Sequence, residues 1–136
     1  MSLLRASALG ALSCLFAACA TDPNDAGASA VQFQDVVVPS GLRLRDEANE
    51  SYSRDESGWR QGHFVYSGQI DVAAAANYVR ERMPQHKWTK VQDEQTQEAG
   101  LRLRFERGIY RAEYAFTRAE GSTTMVVDYT TNHSRQ

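Results

Sequence analysis

The strongest constraint on the fold is a run of alternating apolar and polar residues between positions 101 and 129. Apolar side chains at every second position, separated mostly by charged ones, are typical of antiparallel strands that bury one face and expose the other. The run is interrupted at Arg107-Gly108 and again between Ala119 and Ser122, where Gly121 can adopt a positive φ. The pattern therefore predicts three consecutive strands joined by two tight hairpins.

The two turns also predict which residues pair across the strands. The first hairpin pairs Phe105 with Tyr110, Leu103 with Ala112 and Leu101 with Tyr114, and the second pairs Phe116 with Met125, Tyr114 with Val127 and Ala112 with Tyr129. Both sets place apolar residues on one face, so two independent turns define the same core face. On the polar face, the registers align Arg102 with Glu113 and Asp128.

A single helix is predicted after Asp71, whose carboxylate can accept hydrogen bonds from the free N–H groups of a first turn. Apolar residues follow at helical spacing on one face, and Pro84 ends the pattern. These apolar residues are Val72, Ala75 or Ala76, Val79 and Met83. The run of four alanines has the highest helix propensity, and its small side chains predict close packing against a sheet.

Three further strands are predicted from β-branched or alternating segments: 31–38, closed by a turn at 39–41, then 63–67, and 88–94 after the helix. Residues 42–61 are polar and predict a loop with at most one short edge strand. The order of elements predicts an α+β fold, a two-layer sandwich in which one helix packs on a mostly antiparallel sheet ending in a three- to four-stranded meander.

Residues 1–18 have the composition of a bacterial signal peptide. Arg5 gives a positive start, and an uncharged, mostly apolar stretch runs to Ala18. Residues 19–30 are small and polar and predict a flexible tether, residues 31–130 a single folded domain, and residues 131–136 a disordered tail. No apolar run after residue 20 approaches the roughly 20 residues that a membrane-spanning helix needs.

The stretch Leu15-Phe16-Ala17-Ala18-Cys19 resembles the lipobox of bacterial lipoproteins. The resemblance implies a diacylated thiol on Cys19, cleavage before it, and stable anchoring by two or three acyl chains. Ala20 stands where Asp retains lipoproteins of enteric bacteria in the inner membrane, which implies sorting to the outer membrane, facing the periplasm. The alternative is ordinary cleavage after Ala18-Cys19-Ala20, which would release a soluble periplasmic protein without cysteine.

Charge and cysteine content exclude several classes of function. The 15 Lys and Arg residues against 17 Asp and Glu give no electrostatic basis for nucleic-acid binding. Both cysteines, Cys14 and Cys19, lie in or at the end of the leader, so no disulfide is expected in the domain. The histidines are His63, His86 and His133, and their spacing does not suit a metal site. We expect no metal and no cofactor.

Neither the serines nor the paired charges carry a catalytic motif. No G-x-S-x-G or S-x-x-K sequence frames Ser51, Ser53, Ser57 or Ser67. Glu113 beside Arg102 could form a catalytic carboxylate with an arginine partner, but a cross-strand ion pair explains the two residues more simply. The sequence therefore favours a protein that is not an enzyme.

Three residues are candidates for contact with a partner: Trp59, Arg104 and Arg111. The predicted register sets Arg104 opposite Arg111, and like charges in that position cost stability unless an anionic partner offsets them or the side chains separate in water. Arg43, Arg45, Arg102 and Arg107 would extend such a patch. Trp59 lies in a hydrophilic stretch, where its indole either covers the core as a lid or stands exposed as a binding anchor.

Three short motifs resemble small bacterial envelope lipoproteins of unknown function: Tyr66-Ser67-Gly68, Met83-Pro84 at the helix end, and Trp88 before a meander that ends in a Met-Val-Val strand. The resemblance covers residues 38–129 and implies the fold and the lipid anchor, but no catalytic residue.

Two functions are compatible with these features. We expect a non-enzymatic, membrane-anchored accessory module that binds another envelope protein. The alternative is a periplasmic small-ligand or lipid-binding domain with a cavity between helix and sheet. The first function predicts a filled core and an exposed patch, and the second predicts a large apolar pocket.

The lipobox predicts the mass of the processed protein. The molecule extracted from membranes should begin at Cys19 and carry fatty acyl groups on that residue. The resemblance implies this because, in bacterial lipoproteins, a dedicated peptidase cleaves before the cysteine after its thiol is acylated. Intact-mass spectrometry of the membrane fraction measures both features. A protein that begins at Thr21, lacks any acyl addition and is free in the periplasmic fluid contradicts the prediction.

Overall fold

Seven strands form one sheet in the computed structural model, which describes residues 32–45, 50–96 and 100–132. The strands are β1 (Arg43–Leu44), β2 (Tyr52–Glu56), β3 (Trp59–Gly68), β4 (Thr89–Gln95), β5 (Leu101–Arg107), β6 (Tyr110–Ala119) and β7 (Ser122–Thr131). An α-helix, α1 (Val72–Arg82), continues into a 3-10 turn at Met83–His86 between β3 and β4. Within the described residues, no helix has both the length and the apolar character that crossing a membrane requires.

The described strands pair in antiparallel fashion throughout. The sheet order is β1-β3-β7-β6-β5-β4, and β2 pairs with β3 along the same edge as β1. The helix packs against β5 and β6. The prediction of an α+β fold with one helix on a mostly antiparallel sheet is therefore confirmed, and the predicted meander corresponds to β4 through β7.

The core lies on the sheet face that α1 covers, named the core face below. Alternation along the strands directs every second side chain to this face. The buried apolar strand residues are Phe64, Tyr66, Leu101, Leu103, Phe105, Ala112, Tyr114, Phe116, Met125, Val127 and Tyr129. The helix and its 3-10 turn contribute Ala75, Ala76, Val79 and Met83. One continuous apolar cluster thus joins α1 to the four long central strands.

The helix begins and ends where the sequence predicts. The Asp71 carboxylate accepts a hydrogen bond from the N–H of Ala73 at 2.9 Å, as an N-cap does, and Pro84 lies just beyond the last helical residue, where a proline is expected to stop the helix. On the outer side, the Arg80 guanidinium donates to both carboxylate oxygens of Asp93 at 2.7 and 2.8 Å. This pair ties α1 to β4, and it holds the pKa of Asp93 well below its usual range.

The β6–β7 hairpin has the predicted register, with Tyr114 opposite Val127 and Phe116 opposite Met125. Its two-residue turn is Glu120-Gly121, with φ values of 52° and 78°. Two successive positive φ angles are the requirement of a type I′ turn, whose twist matches that of the flanking strands. This prediction is confirmed.

The β5–β6 hairpin turns one residue later than predicted. Its turn is Gly108-Ile109 instead of Arg107-Gly108, so every residue of β5 pairs two positions further along β6. Gly108 has a φ of 58° at the first loop position, which favours glycine. Arg107 stays in the strand, where it reaches Asp35. A shift of two residues keeps each side chain on its face. The predicted core face is therefore correct, although the residue pairs predicted between β5 and β6 are wrong.

Residues 32–42, named the strap below, cross the core face without forming a strand. The strand predicted at 31–38 is wrong over residues 32–38, and residue 31 lies outside the described part of the chain. The strap buries Phe33, Val36, Val37 and Leu42. The N–H of Val37 donates to the hydroxyl of Tyr114 at 3.2 Å, and burial raises the pKa of that hydroxyl above its ordinary value. The valines are thus stabilised by burial and not by a strand ladder.

Residues 42–61 contain more strand than predicted. The predicted edge strand is present as β2, but β3 already starts at Trp59, four residues before the predicted segment 63–67. The turn between them, Ser57-Gly58, again has two positive φ angles, 49° and 81°, as a type I′ turn requires. At the other terminus, β7 continues to Thr131, one residue into the predicted tail.

Both edges of the sheet are irregular or charged. In β4 the pairing with β5 shifts between Lys90 and Gln92, where Val91 is 49% exposed and forms a bulge. At the opposite edge, β2 presents Arg54, Asp55 and Glu56 to solvent.

Gly68→Ala should destabilise the protein strongly. A Cβ at this position would collide with the backbone oxygen of Gly41, and backbone cannot yield as the tip of a side chain can. We expect the free energy of unfolding to fall by about 2–3 kcal/mol in urea denaturation. Gly58→Ala is the matched control, because no atom lies within 4 Å of its Cβ. The free energy of unfolding of this variant should fall by about 1 kcal/mol, because alanine is strained in the left-handed backbone conformation of residue 58. Equal losses would contradict the close approach of the strap to β3.

Candidate functional site

The face of the sheet opposite α1, named the open face below, carries the candidate site. Alternation along each strand places His63 and Val65 of β3 and Asp128 of β7 on this face. Their side chains are partly or fully exposed, whereas those of the neighbouring Phe64 and Val127 are buried. Within the described part of the chain, these side chains of the open face are therefore accessible to solvent.

Five side chains form a row across the open face, named the central row below. From β2 to β5 they are Tyr52, His63, Asp128, Glu113 and Arg104, each opposite the next in the strand register. The ring of Tyr52 stacks on that of His63 with centroids 5.9 Å apart. His63 Nδ1 lies 2.6 Å from Asp128 Oδ1, and Arg104 Nε lies 2.8 Å from Glu113 Oε1. The row thus runs through five strands.

Two carboxylates are neighbours in the middle of the central row. Asp128 and Glu113 face each other across β7 and β6, and like charges in such positions repel. Arg104 offsets the charge of Glu113 from the far side, and Asp128 lies within hydrogen-bond distance of His63 on its own far side. The row therefore consists of two contacting groups, Tyr52 with His63 and Asp128, and Glu113 with Arg104.

The His63–Asp128 pair has one catalytic parallel. An imidazole oriented by a carboxylate is an arrangement used for proton transfer. Here the side chain of Asp128 is 54% exposed and that of His63 is 32% exposed, and the pair stands on an open sheet instead of in a water-excluding cleft. The pair therefore lacks the enclosed pocket in which ligand and catalytic sites are usually built.

Arg104 and Arg111 do not face each other as the sequence predicted. Arg104 lies opposite Glu113, and Arg111 lies opposite Glu106, whose Oε1 is 3.2 Å from Arg111 Nη2. The predicted repulsion, and the case for an anionic partner that followed from it, is wrong because the β5–β6 turn lies one residue later. Glu113 likewise has Arg104 as its neighbour in place of Arg102. Both arginine Nε atoms are shielded from water, and the Arg104–Glu113 contact is an ion pair whose N–H is not aligned with the oxygen.

An apolar strip lies beside the central row. Val65, Val126 and Ala115 are neighbours across β3, β7 and β6, and all three are partly exposed. Trp59 starts β3 and lies on the same face as His63, because four residues separate them along one strand. Trp59 is partly exposed and does not belong to the core cluster. Its position on the open face does not match the lid interpretation, and a role as a binding anchor stays a prediction.

A second polar cluster, named the arginine clamp below, joins the strap to the core face. Arg60 of β3 and Arg107 of β5 both contact the Asp35 carboxylate, Arg60 at 4.0 Å and Arg107 through a direct hydrogen bond. The Tyr129 hydroxyl donates to the same carboxylate at 3.2 Å. The indole N–H of Trp88 donates to the backbone oxygen of Asp35 at 3.0 Å. Two cations therefore share one carboxylate.

The surroundings of the arginine clamp raise the pKa values of Tyr129 and Arg60. Burial raises the pKa of Tyr129 to about 12, so its hydroxyl is a neutral donor at physiological pH. The hydrogen bond with Tyr129 raises the pKa of Arg60 above its usual value, and nearby carboxylates act in the same direction. The guanidinium of Arg107 lies 4.7 Å from the ring centroid of Trp88, which is a cation–π contact. Sequence reasoning missed this cluster because Asp35 lies in a segment predicted to be a strand.

A cleft of about 530 Å³ opens at the start of α1. Its lining residues are Asp71, Val72, Ala73, Gln95, Thr96, Gly100, Leu101 and Arg118. The Arg118 guanidinium already donates to the backbone oxygen of Ile70 at 3.2 Å. Its described lining combines the start of α1 with residues at the end of β4 and the start of β5.

The remaining predicted residues are dispersed. His86 is exposed at the end of the 3-10 turn, while His133 and Cys19 lie outside the described residues. In the part of the chain that the structure covers, no group of three His, Cys, Asp or Glu side chains is placed to hold a metal ion. The Ser51 hydroxyl is buried and donates to the backbone oxygen of Arg45 at 2.9 Å, which is a structural contact.

The central row predicts a measurable coupling between Arg104 and Glu113. Arg104→Ala leaves the carboxylates of Glu113 and Asp128 adjacent with one basic neighbour fewer, so it should destabilise the protein by about 1 kcal/mol. Adding Glu113→Ala should recover part of that loss. Urea unfolding of the wild type, Arg104→Ala, Glu113→Ala and the double variant should give a coupling energy of about 0.5–1 kcal/mol. Arg102→Ala, on the same strand and face but opposite Ala115, is the control and should stay within about 0.5 kcal/mol of the wild type. A coupling energy of zero would contradict the ion pair between Arg104 and Glu113 in the central row.

Comparisons with known proteins do not assign this chain to a family. No protein-family model, no curated protein and no solved structure matches it at a significant level. The likeness of its short motifs to small envelope lipoproteins therefore rests on those residues alone.

Proposed function

We propose that the protein is a lipid-anchored accessory protein of the bacterial cell envelope that binds another envelope protein through its open face. The resemblance of residues 15–19 to a lipobox supports the anchor, and Ala20 supports a location at the outer membrane facing the periplasm. In this proposal the protein acts by binding, without catalysis and without a cofactor.

The aromatic residues of the β2–β3 hairpin carry the binding part of the proposal. Tyr52 is 50% exposed, and Trp59 shares the open face with it. Aromatic side chains that stand beside polar groups are typical of the residues that contribute most to protein interfaces. Next to Tyr52, the central row supplies charges in fixed positions, since His63 is held by Asp128 at 2.6 Å. A prearranged surface loses little conformational entropy on binding.

The covering of the core face supports the same assignment. We propose a two-layer arrangement, in which the sheet forms one layer and α1 with the strap forms the other. Both covering elements pack on the core face, where they bury Val79 of α1 and Val36 of the strap. The open face then remains as the broad surface of the sheet for a partner.

The packing beneath α1 supports protein binding over an enclosed ligand. Leu103, Phe105, Tyr114 and Phe116 are fully buried there, and the rings of Phe105 and Tyr114 meet edge to face at 5.8 Å. Side chains therefore occupy the space in which the alternative function places its cavity. The cleft at the start of α1 is the feature that favours a small-ligand function, because its volume falls in the usual range of ligand pockets.

Site-directed crosslinking from membranes tests the open face. A photo-crosslinking amino acid at Thr130, an exposed open-face position, should capture a discrete partner from cells carrying the lipidated protein, whereas the same group at Asn77, exposed on α1, should not. Tyr52→Ala should lower the yield of that adduct roughly tenfold by removing an aromatic anchor. Tyr78→Ala is the matched control, since Tyr78 is 37% exposed on the helix. Equal adducts from positions 130 and 77, or no effect of Tyr52→Ala, would contradict the proposal.

A further inference from the structure

The strap is attached to the domain without a strand ladder. Among the described residues, its backbone hydrogen bonds stay within the strap or involve side chains of the domain. The N–H of Val36 donates to the oxygen of Phe33 at 3.0 Å, and the N–H of Val37 donates to the Tyr114 hydroxyl. The oxygen of Asp35 accepts from the indole of Trp88. The strap can therefore leave the core face without breaking any pairing between strands.

The strap occupies a groove with a shaped apolar floor. The ring of Phe33 lies 4.7 Å from that of Tyr129 and meets Phe64 edge to face at 5.7 Å. A Cβ at Gly62 would lie 2.5 Å from the Phe64 ring and 3.1 Å from the Phe33 ring, so this glycine leaves room for both aromatic side chains. Phe64 and Tyr129 belong to the sheet and are fully buried. The groove is thus built from residues that do not depend on the strap for their placement in the sheet.

The arginine clamp is also positioned independently of Asp35. The Arg60 Nε donates to the Asp55 carboxylate at 2.9 Å. The Arg107 Nη1 donates to the backbone oxygen of His86 at 3.1 Å, and its guanidinium lies over Trp88. Both guanidiniums therefore keep partners in β2 and in the turn after α1 when Asp35 is withdrawn. Two such cations at the end of an apolar groove form a binding site for a carboxylate.

We propose that the groove under the strap is a peptide-binding site, held closed in cis by the strap itself. Its ligand is a partner segment with the chemistry of Phe33-Gln34-Asp35-Val36-Val37, a carboxylate flanked by apolar side chains. The carboxylate takes the place of Asp35 in the arginine clamp, and the apolar side chains take the places of Phe33 and the valines. This site lies on the core face and does not depend on the function proposed for the open face.

Hydrogen exchange on the wild-type protein tests whether the strap opens by itself. The Val37 amide and the Trp88 indole N–H should exchange at least tenfold faster than the amides of Phe64 and Val127, which are paired across β3 and β7. The expected pattern reflects local opening of the strap while the sheet stays folded. Exchange of all four groups at one common rate, set by global unfolding, would overturn the proposal.

Binding of a peptide in trans tests the site directly. The probe is a fluorescent, end-capped peptide of residues 32–40, titrated into the full-length wild type and Asp35→Asn. The Asn side chain cannot accept two guanidiniums as a carboxylate does, so the cis strap should be displaced more easily and the peptide should bind at least tenfold more tightly to Asp35→Asn. Asp93→Asn, which removes a carboxylate from β4 away from the groove, is the matched control and should bind as the wild type does.

A second peptide with Asn in place of Asp35 separates the clamp from general apolar binding. It should bind Asp35→Asn at least tenfold more weakly than the first peptide. Equal affinity of the two peptides, or equal affinity of wild type and Asp35→Asn for the first, would overturn the proposal. Dimerisation of Asp35→Asn in light scattering, without uptake of the peptide, would also overturn the proposal. The strap would then exchange only between copies of the protein. If Asp35→Asn does not fold, the exchange rates of the wild type decide the question.

Discussion

The burial of one sheet face under α1 and the strap is the constraint from which the rest of this structure follows. Helix α1 and the strap bury the core face, so side chains along β3, β5, β6 and β7 alternate between the interior and solvent. This alternation depends only on parity along each strand. The contacts of the open face depend in addition on which residues are paired. The core is therefore insensitive to a two-residue error in register, whereas the central row is not.

The elements with local causes could be predicted from sequence. Asp71 and Pro84 bound the helix, and Gly121 fixes the β6–β7 turn through its positive φ. The β5–β6 register could not be chosen in this way, because both possible turns contain Gly108 and both keep the apolar residues on one face. The contact of Arg107 with Asp35, which lies 72 residues away in sequence, holds Arg107 in the strand. A local sequence pattern does not reveal a contact between residues so far apart in the chain.

The candidate site was less predictable than the fold for the same reason. The pairing of Arg104 with Glu113 depends on the β5–β6 register. The side of the sheet on which Trp59 lies depends on the start of β3, which falls within the polar segment 42–61. The strap shows the limit most clearly. Its valines suggest a strand, but Val37 makes its hydrogen bond with Tyr114, 77 residues away, and a single acidic residue among the valines was the available sign of different surroundings.

The bulge in β4 has a consequence for a protein held at a bilayer by a lipid anchor, as proposed here. Molecules confined to a surface meet often and in similar orientations, and a regular sheet edge invites them to join into a shared sheet. The shift between Lys90 and Gln92 breaks the regular spacing of hydrogen-bonding groups at one edge. The charged residues of β2 discourage the same contact at the other edge. Crowded neighbours are thereby kept from aggregating edge to edge, and association is directed to the faces of the sheet.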